Sequence, residues 1–322
     1  MRAAIVAAAG RPPLLREFPA PVARPGETLI RVTAAAVSHL VKGRASGAHY
    51  SAGGEFPAVV GLDGVGRTED GARVYFAMAR APHGSMAEFT VADARLCVPL
   101  PDGLDDRVAA AIANPGMSSW AALAERARLR RGETVLVNGA TGTAGRLAVR
   151  IAKRLGAGRV IATGRDASAL ADVAALGADA TILLGDDMAA LEGRFMDAFA
   201  EGIDIVVDYL WGPSAERLLI AAAKGGRDGV PMRFVQVGSV AAPEITLPGA
   251  ALRASAIELT GVGKGSIPLP RLIATIGEVL RATVPAGLEI AFRPVPLADF
   301  DWAWPEDEST CRTVFTIDGE GR

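Results

Sequence analysis

The sequence holds very little cysteine: Cys97 and Cys311 are its two thiols in 322 residues, far apart and in no C-x-x-C spacing. That excludes a cysteine-based zinc site of the usual spacing, and it fits a reducing, cytoplasmic setting. Histidine is almost as scarce. His39, His49 and His83 share no i, i+2 or i, i+4 spacing, so no histidine metal site is expected. Charge of one sign is also missing: the net charge of −2 argues against a nucleic-acid partner or a polybasic membrane contact. No apolar run approaches the roughly 20 residues of a membrane-spanning helix. The opening MRAAIVAAAG mimics a signal peptide, with Arg2 before an alanine-rich stretch. The run is short, however, and Gly10, Pro12 and Pro13 close it as they would a first strand.

What is present is half apolar and long enough for two separate cores. Residues 1–110 are rich in short β signals (ETLIRVTAAAV, AVVGLDGVGRT, ARVYFAMA, SMAEFTVA) broken by glycine and proline, which predicts a β-rich, partly open barrel. Residues 105–129 have helical spacing, with an interruption expected at Asn114-Pro115-Gly116. From 134 onward strands and helices alternate: TVLVNG, AGRLAVRIAKRLGA, RVIATG, ASALADVAALGA and ATILL, then GIDIVVDYL, SAERLLIAAAKG, RFVQVG and IELTGVG. Short apolar strands joined by helices imply a doubly wound parallel sheet. PRLIATIGEVLRATV reads as a helix, and the tail FRPVPLADFDWAW and RTVFTID as a return to the first domain.

The stretch NGATGTAG (138–145) lies between a buried-looking strand and a helix. In that frame, backbone N–H groups and the positive end of the helix dipole face an anion, and glycines let the backbone approach a pyrophosphate. The spacing is G-x-x-G-x-x-G, so Gly139, Thr141, Gly142, Thr143, Ala144 and Gly145 are all candidate contacts. The next strand ends ATGRD, with Gly164 where an NAD site has its ribose-binding acid. A glycine there leaves room for a 2′-phosphate, and Arg165 offers a bidentate partner, which favours NADPH. Asp166, one or two places late, remains an alternative ribose acceptor.

Taken in order, FPAVVGLDGVGR (56–67), NPGMSSWAAL (114–123), the glycine turn, LGADATI (176–182), DIVVDYLWG (204–212) and VPLADFDWAW resemble the medium-chain dehydrogenase/reductase superfamily, in its zinc-independent quinone-oxidoreductase branch. The resemblance implies an α/β protein with a GroES-like domain over 1–113 and 265–322 and a Rossmann domain over 114–264. Where zinc-dependent members carry ligands, it aligns Ser38, Leu62 and a position near Pro115, and the cysteine lobe is missing. It implies a substrate cleft between the domains, with Ser38, Lys42 and Tyr50 as candidate groups to polarise substrate. It adds Asn114, Met117, Ser118, Tyr209, Val237, Gly238, Ser239 and Lys264 as candidate cofactor contacts, and it implies a homodimer. The expected activity is hydride transfer from NADPH (NADP) to a small quinone or an enone C=C, because charge then spreads into a hydroquinone or enolate without a metal. The alternatives are an enoyl-thioester reductase and a non-catalytic NADPH-binding sensor.

Overall fold

The computed structural model describes residues 1–8, 10–47, 56–185, 187–306 and 310–317. The early β signals become β1 (Arg2–Val6), β2 (Leu14–Glu17), β3 (Glu27–Ala36), β4 (Ala58–Val59), β5 (Gly64–Thr68), β6 (Arg73–Phe76), β7 (Phe89–Asp93) and β8 (Cys97–Pro99). Ala3, Ala4 and Val6 of β1 are buried, as a first strand requires. Alternate burial of Ile30, Val32 and Ala34 turns one face of β3 into the core, where Ile30 and Val32 pack among Phe76, Phe300 and Phe315. The chain divides into two units, Met1–Asn114 with Ile276–Arg322, and Pro115–Thr275.

The second unit carries β9 (Thr134–Asn138), β10 (Arg159–Gly164), β11 (Ala180–Leu183), β12 (Ile205–Asp208), β13 (Met232–Gln236) and β14 (Ile257–Gly261). All pairings in this sheet are parallel, and the order is β11-β10-β9-β12-β13-β14. Counted from β9, that is 3-2-1-4-5-6, the doubly wound order, and the direction of winding reverses between β9 and β12. Near-continuous apolar runs such as Val135–Val137 and Ile205–Val207 are buried completely, as strands covered on both faces must be. In the first unit, β15 (Phe292–Pro296) and β16 (Arg312–Thr316) return to the sheet, giving β15-β16-β3-β5-β6-β8 with β7 also on β3.

Three elements depart from the expectations. No helix is expected between the early strands, yet α1 (His39–Ser46) runs there, capped by the Ser38 hydroxyl and ended by left-handed Gly47. It has no apolar stripe, with Val41 alone buried, so periodicity gives no signal. α2 (Asp106–Ala121) runs straight through Asn114-Pro115-Gly116 instead of breaking. Proline at 115 removes the N–H that the Ala111 carbonyl would accept. The buried Arg312 guanidinium supplies a substitute, Nη1 donating to Ala111 O at 3.0 Å, so the helix loses no buried hydrogen bond at that carbonyl. Finally, α5 (Met188–Glu201) is a crossover helix not among those expected, though Leu191, Phe195, Ala198 and Phe199 recur at helical spacing.

Candidate functional site

The glycine turn leaves the C-terminal end of β9 at the point where the winding reverses, and α3 (Thr143–Leu155) begins within it. Gly139 is left-handed (φ 85°), and a Cβ there would lie 2.8 Å from Leu210 Cγ in the loop after β12. Gly145 is needed for close packing: a Cβ would overlap the Gly139 carbonyl and sit 2.7 Å from Ala140 Cα. α3 is capped by Gly142 with no side-chain hydrogen bond and has no acidic residue in its first turn. Its backbone ladder starts with Arg146 N donating to Gly142 O. Among the described residues, the amides of Thr141, Ala144 and Gly145 have no acceptor. A helix start with open amides and no carboxylate is suited to an anion.

Behind the turn, the strand ends are tied by a buried polar network. Asn138 Nδ2 donates to Asp208 Oδ1 (2.8 Å) and Ser214 Oγ (3.0 Å), and Thr163 Oγ1 donates to Asn138 Oδ1 (2.7 Å). Asp208 also accepts from Leu210 N and Trp211 N. Its backbone carbonyl accepts from the amides of Val237 and Gly238. Burial pushes the Asp208 carboxyl up to about 6, opposed by the hydrogen bonds from Asn138, Leu210 and Trp211. Trp211, in the left-handed region at φ 59°, is the strained non-glycine residue of this loop, and the Asp208 carboxylate holds its amide.

At the end of β10, Arg165 is exposed, and its side chain has no hydrogen bond or ion pair among the described residues. Asp166 is committed elsewhere: its Oδ1 accepts from Ala169 N at 2.7 Å and caps α4 (Ala167–Ala175). Gly164 proves to be a packing residue. A Cβ there would overlap Thr141 Cγ2, so the space that the missing side chain leaves is filled by the turn itself and is not open room for a phosphate.

The remaining expected residues fall as follows. Tyr209 is buried, its hydroxyl 2.7 Å from Ser119 Oγ, and burial holds its phenol above the usual range. Ser119 Oγ is also 2.9 Å from the Pro115 carbonyl, which Ser118 Oγ reaches too. Met117 packs against Ala121, Ile267 and Leu272, while Asn114 is half-buried on α2. A Cβ at Gly238 would lie 2.8 Å from the Tyr209 carbonyl; Ser239 and Lys264 are exposed. In the first unit, the Ser38 hydroxyl accepts from Val41 N, and Lys42 Nζ donates to the Glu306 carbonyl and lies 6.0 Å from the Trp304 ring centre. Tyr50 and His49 lie outside the described residues. Among the described residues no group of three His, Cys, Asp or Glu side chains could hold a metal ion.

Thr163, Ser119, Ser214 and Arg146 were not among the expected residues. Arg146 Nε donates to the Thr141 carbonyl (3.1 Å), and its Nη2 meets Asp172 Oδ2 at 3.3 Å. Thr163 carries a faint sequence signal, a polar residue after the apolar run Val160–Ala162 and just before Gly164.

Residues 144–276 match the family model described as zinc-binding dehydrogenase. Over 98% of this chain and 100% of its own length, a protein of Emericella nidulans named "Probable NADPH-dependent quinone reductase tdiC" is 30% identical. The quinone oxidoreductase of Thermus thermophilus, solved alone and with NADPH, is 28% identical with a TM-score of 0.77, over 98% of this chain and 100% of that one. The spectinabilin polyketide synthase system protein NorB of Streptomyces orinoci is 32% identical over 88% of this chain, which spans only 12% of that protein.

Proposed function

The chain belongs to the medium-chain dehydrogenase/reductase superfamily, in its quinone-oxidoreductase branch, and on that premise we propose that it reduces a quinone or the activated C=C of an enone with NADPH. The observation that carries the cofactor reading is the contrast at the end of β10. The carboxylate of Asp166 is turned to the start of α4, which it caps through Oδ1, while the guanidinium of Arg165 stands exposed and unpaired among the described residues. The open amides of Thr141, Ala144 and Gly145 would hold the pyrophosphate, and Arg165 the 2′-phosphate. When bound, NADPH supplies the hydride.

Of the positions aligned with zinc ligands, the Ser38 hydroxyl caps α1 and the side chain of Leu62 has no ligating atom; the third falls near Pro115, whose side chain has none either. A metal-free reading follows from those residue types. Acceptors that delocalise the incoming charge then suit the enzyme better than simple carbonyls. A second reading, enoyl-thioester reduction, is favoured by the likeness to NorB, a polyketide synthase system protein. We also place the enzyme in the cytoplasm, in keeping with two free cysteines, Cys97 and Cys311. Among the described residues no helix is long and apolar enough to cross a membrane. A homodimer formed through β14 fits the open edge of that terminal strand, where Leu259 is exposed. Sedimentation equilibrium showing a monomer would remove that assignment.

The cofactor test is Arg165→Ala. Charged hydrogen bonds contribute about 1.5–3 kcal/mol, so NADPH affinity should fall roughly ten- to hundred-fold in a fluorescence titration, with NADH unaffected. Unchanged NADPH affinity would refute the assignment. NADPH oxidation assayed against quinones, short enones, enoyl thioesters and aldehydes separates the substrate readings. Turnover of enoyl thioesters alone selects the second reading, and turnover of aldehydes alone defeats both.

A further inference from the structure

The turn's own amides divide into two sets. Gly139 N donates to Thr163 Oγ1 (3.0 Å) and Ala140 N to the Thr163 carbonyl (2.8 Å), so neither is available to a ligand. The amides of Thr141, Ala144 and Gly145 have no acceptor among the described residues. Hydrogen-bond valence fixes which way the first set is held. Both Asn138 Nδ2 hydrogens are used, on Asp208 and Ser214, so Asn138 Oδ1 must be the acceptor facing Thr163. The Thr163 hydroxyl has one hydrogen, which goes to that oxygen; its lone pair is therefore turned to Gly139 N–H. Asn138, Thr163 and Asp208 are all fully buried, so no solvent molecule competes for these bonds.

The consequence reaches α3 through packing. The Gly139 carbonyl lies where a Cβ of Gly145 would be, so the Gly139 peptide and the first turn of α3 cannot move independently. We propose that Thr163, oriented by Asn138 and Asp208, is a positioning residue that locks the Gly139–Ala140 peptides and so presents the Thr141, Ala144 and Gly145 amides to the cofactor pyrophosphate. This rests on the NADPH reading above. It assigns the first glycine of NGATGTAG to turn geometry and the last to phosphate contact.

The experiment pairs Thr163→Val with Thr163→Ser and titrates each with NADPH and with 2′-AMP, which carries the Arg165-directed phosphate but no pyrophosphate. Valine keeps the shape and strands the Gly139 amide; NADPH should bind about three- to tenfold more weakly, 2′-AMP as in the parent, and serine should restore NADPH. Equal losses for both ligands, or a valine variant that melts earlier yet binds NADPH like the parent, would overturn the proposal. A parent protein that binds neither ligand would instead defeat the cofactor reading. Residue-resolved amide exchange on the parent covers the case of a valine variant that fails to fold. Gly139 and Ala140 should be protected without ligand, and NADPH should newly protect Thr141, Ala144 and Gly145. Rapid exchange at Gly139 in the free protein would count against the lock.

Discussion

Replacing Arg312 by methionine probes how a proline survives inside α2. The Arg312 guanidinium is buried, and its bonds include Nε and Nη2 donating to Val37 O at 3.1 and 2.9 Å and Nη1 donating to Ala111 O at 3.0 Å. Methionine keeps most of the volume and leaves two fully buried residues, Val37 and Ala111, with carbonyls short of donors. An unsatisfied buried polar group costs about 1–3 kcal/mol, so the pair predicts a loss of about 2–6 kcal/mol. Pro115→Ala returns an N–H four residues after Ala111. In the parent that gains little at this carbonyl, which already has a partner. In the methionine background it satisfies an orphan. The two substitutions should therefore couple by about 1–2 kcal/mol in a double-mutant cycle. Urea unfolding of the parent, both single variants and the double variant, followed by tryptophan fluorescence, measures that coupling. Additivity within about 0.5 kcal/mol would refute the idea that Arg312 stands in for the missing helix bond.

Two further outcomes are expected. The Asp208 carboxyl titrates near 6 when folded and at 3.8 when unfolded, so the folded chain holds a proton that the unfolded chain has released between those values. Its contribution to stability is greatest below about pH 4, declines through the window from 4 to 6, and above 6 is lower by on the order of 3 kcal/mol. Asp208→Asn, which cannot ionise, should flatten that decline; equal differences between pH 4.5 and 7.5 in the two proteins would remove Asp208 as the cause. Gly145→Ala sets a Cβ against the Gly139 carbonyl and Ala140 Cα, both backbone, so about 1–3 kcal/mol of stability should be lost together with NADPH affinity. Retention of both would mean that α3 can move off the turn at no cost.

The doubly wound unit was legible because its signals are local. Apolar runs such as TVLV and GIDIVV, amphipathic repeats such as AGRLAVRIAKRL, and glycines at a strand-to-helix junction each act within a few residues. The place of Arg165 directly after the strand RVIATG is local in the same way. α1 was not, since its stability comes from the Ser38 and Gly47 caps and not from a buried stripe. Pro115 misled in the opposite direction, since the residue that completes the helix bond there lies 201 positions beyond Ala111.

By itself the sequence determined that a dinucleotide could bind here, and the glycine and arginine placement pointed to its type. The order and burial of the strands follow from hydrophobic pattern, and pattern is written in neighbours. Only the tertiary structure decided which amides of NGATGTAG remain open, why Gly164 lacks a side chain, and that Asp166 is a cap. The first of these depends on hydrogen-bond valence among groups brought together from β9, β10 and β12. A buried donor is satisfied by whichever acceptor the fold places beside it, and that choice has no local trace.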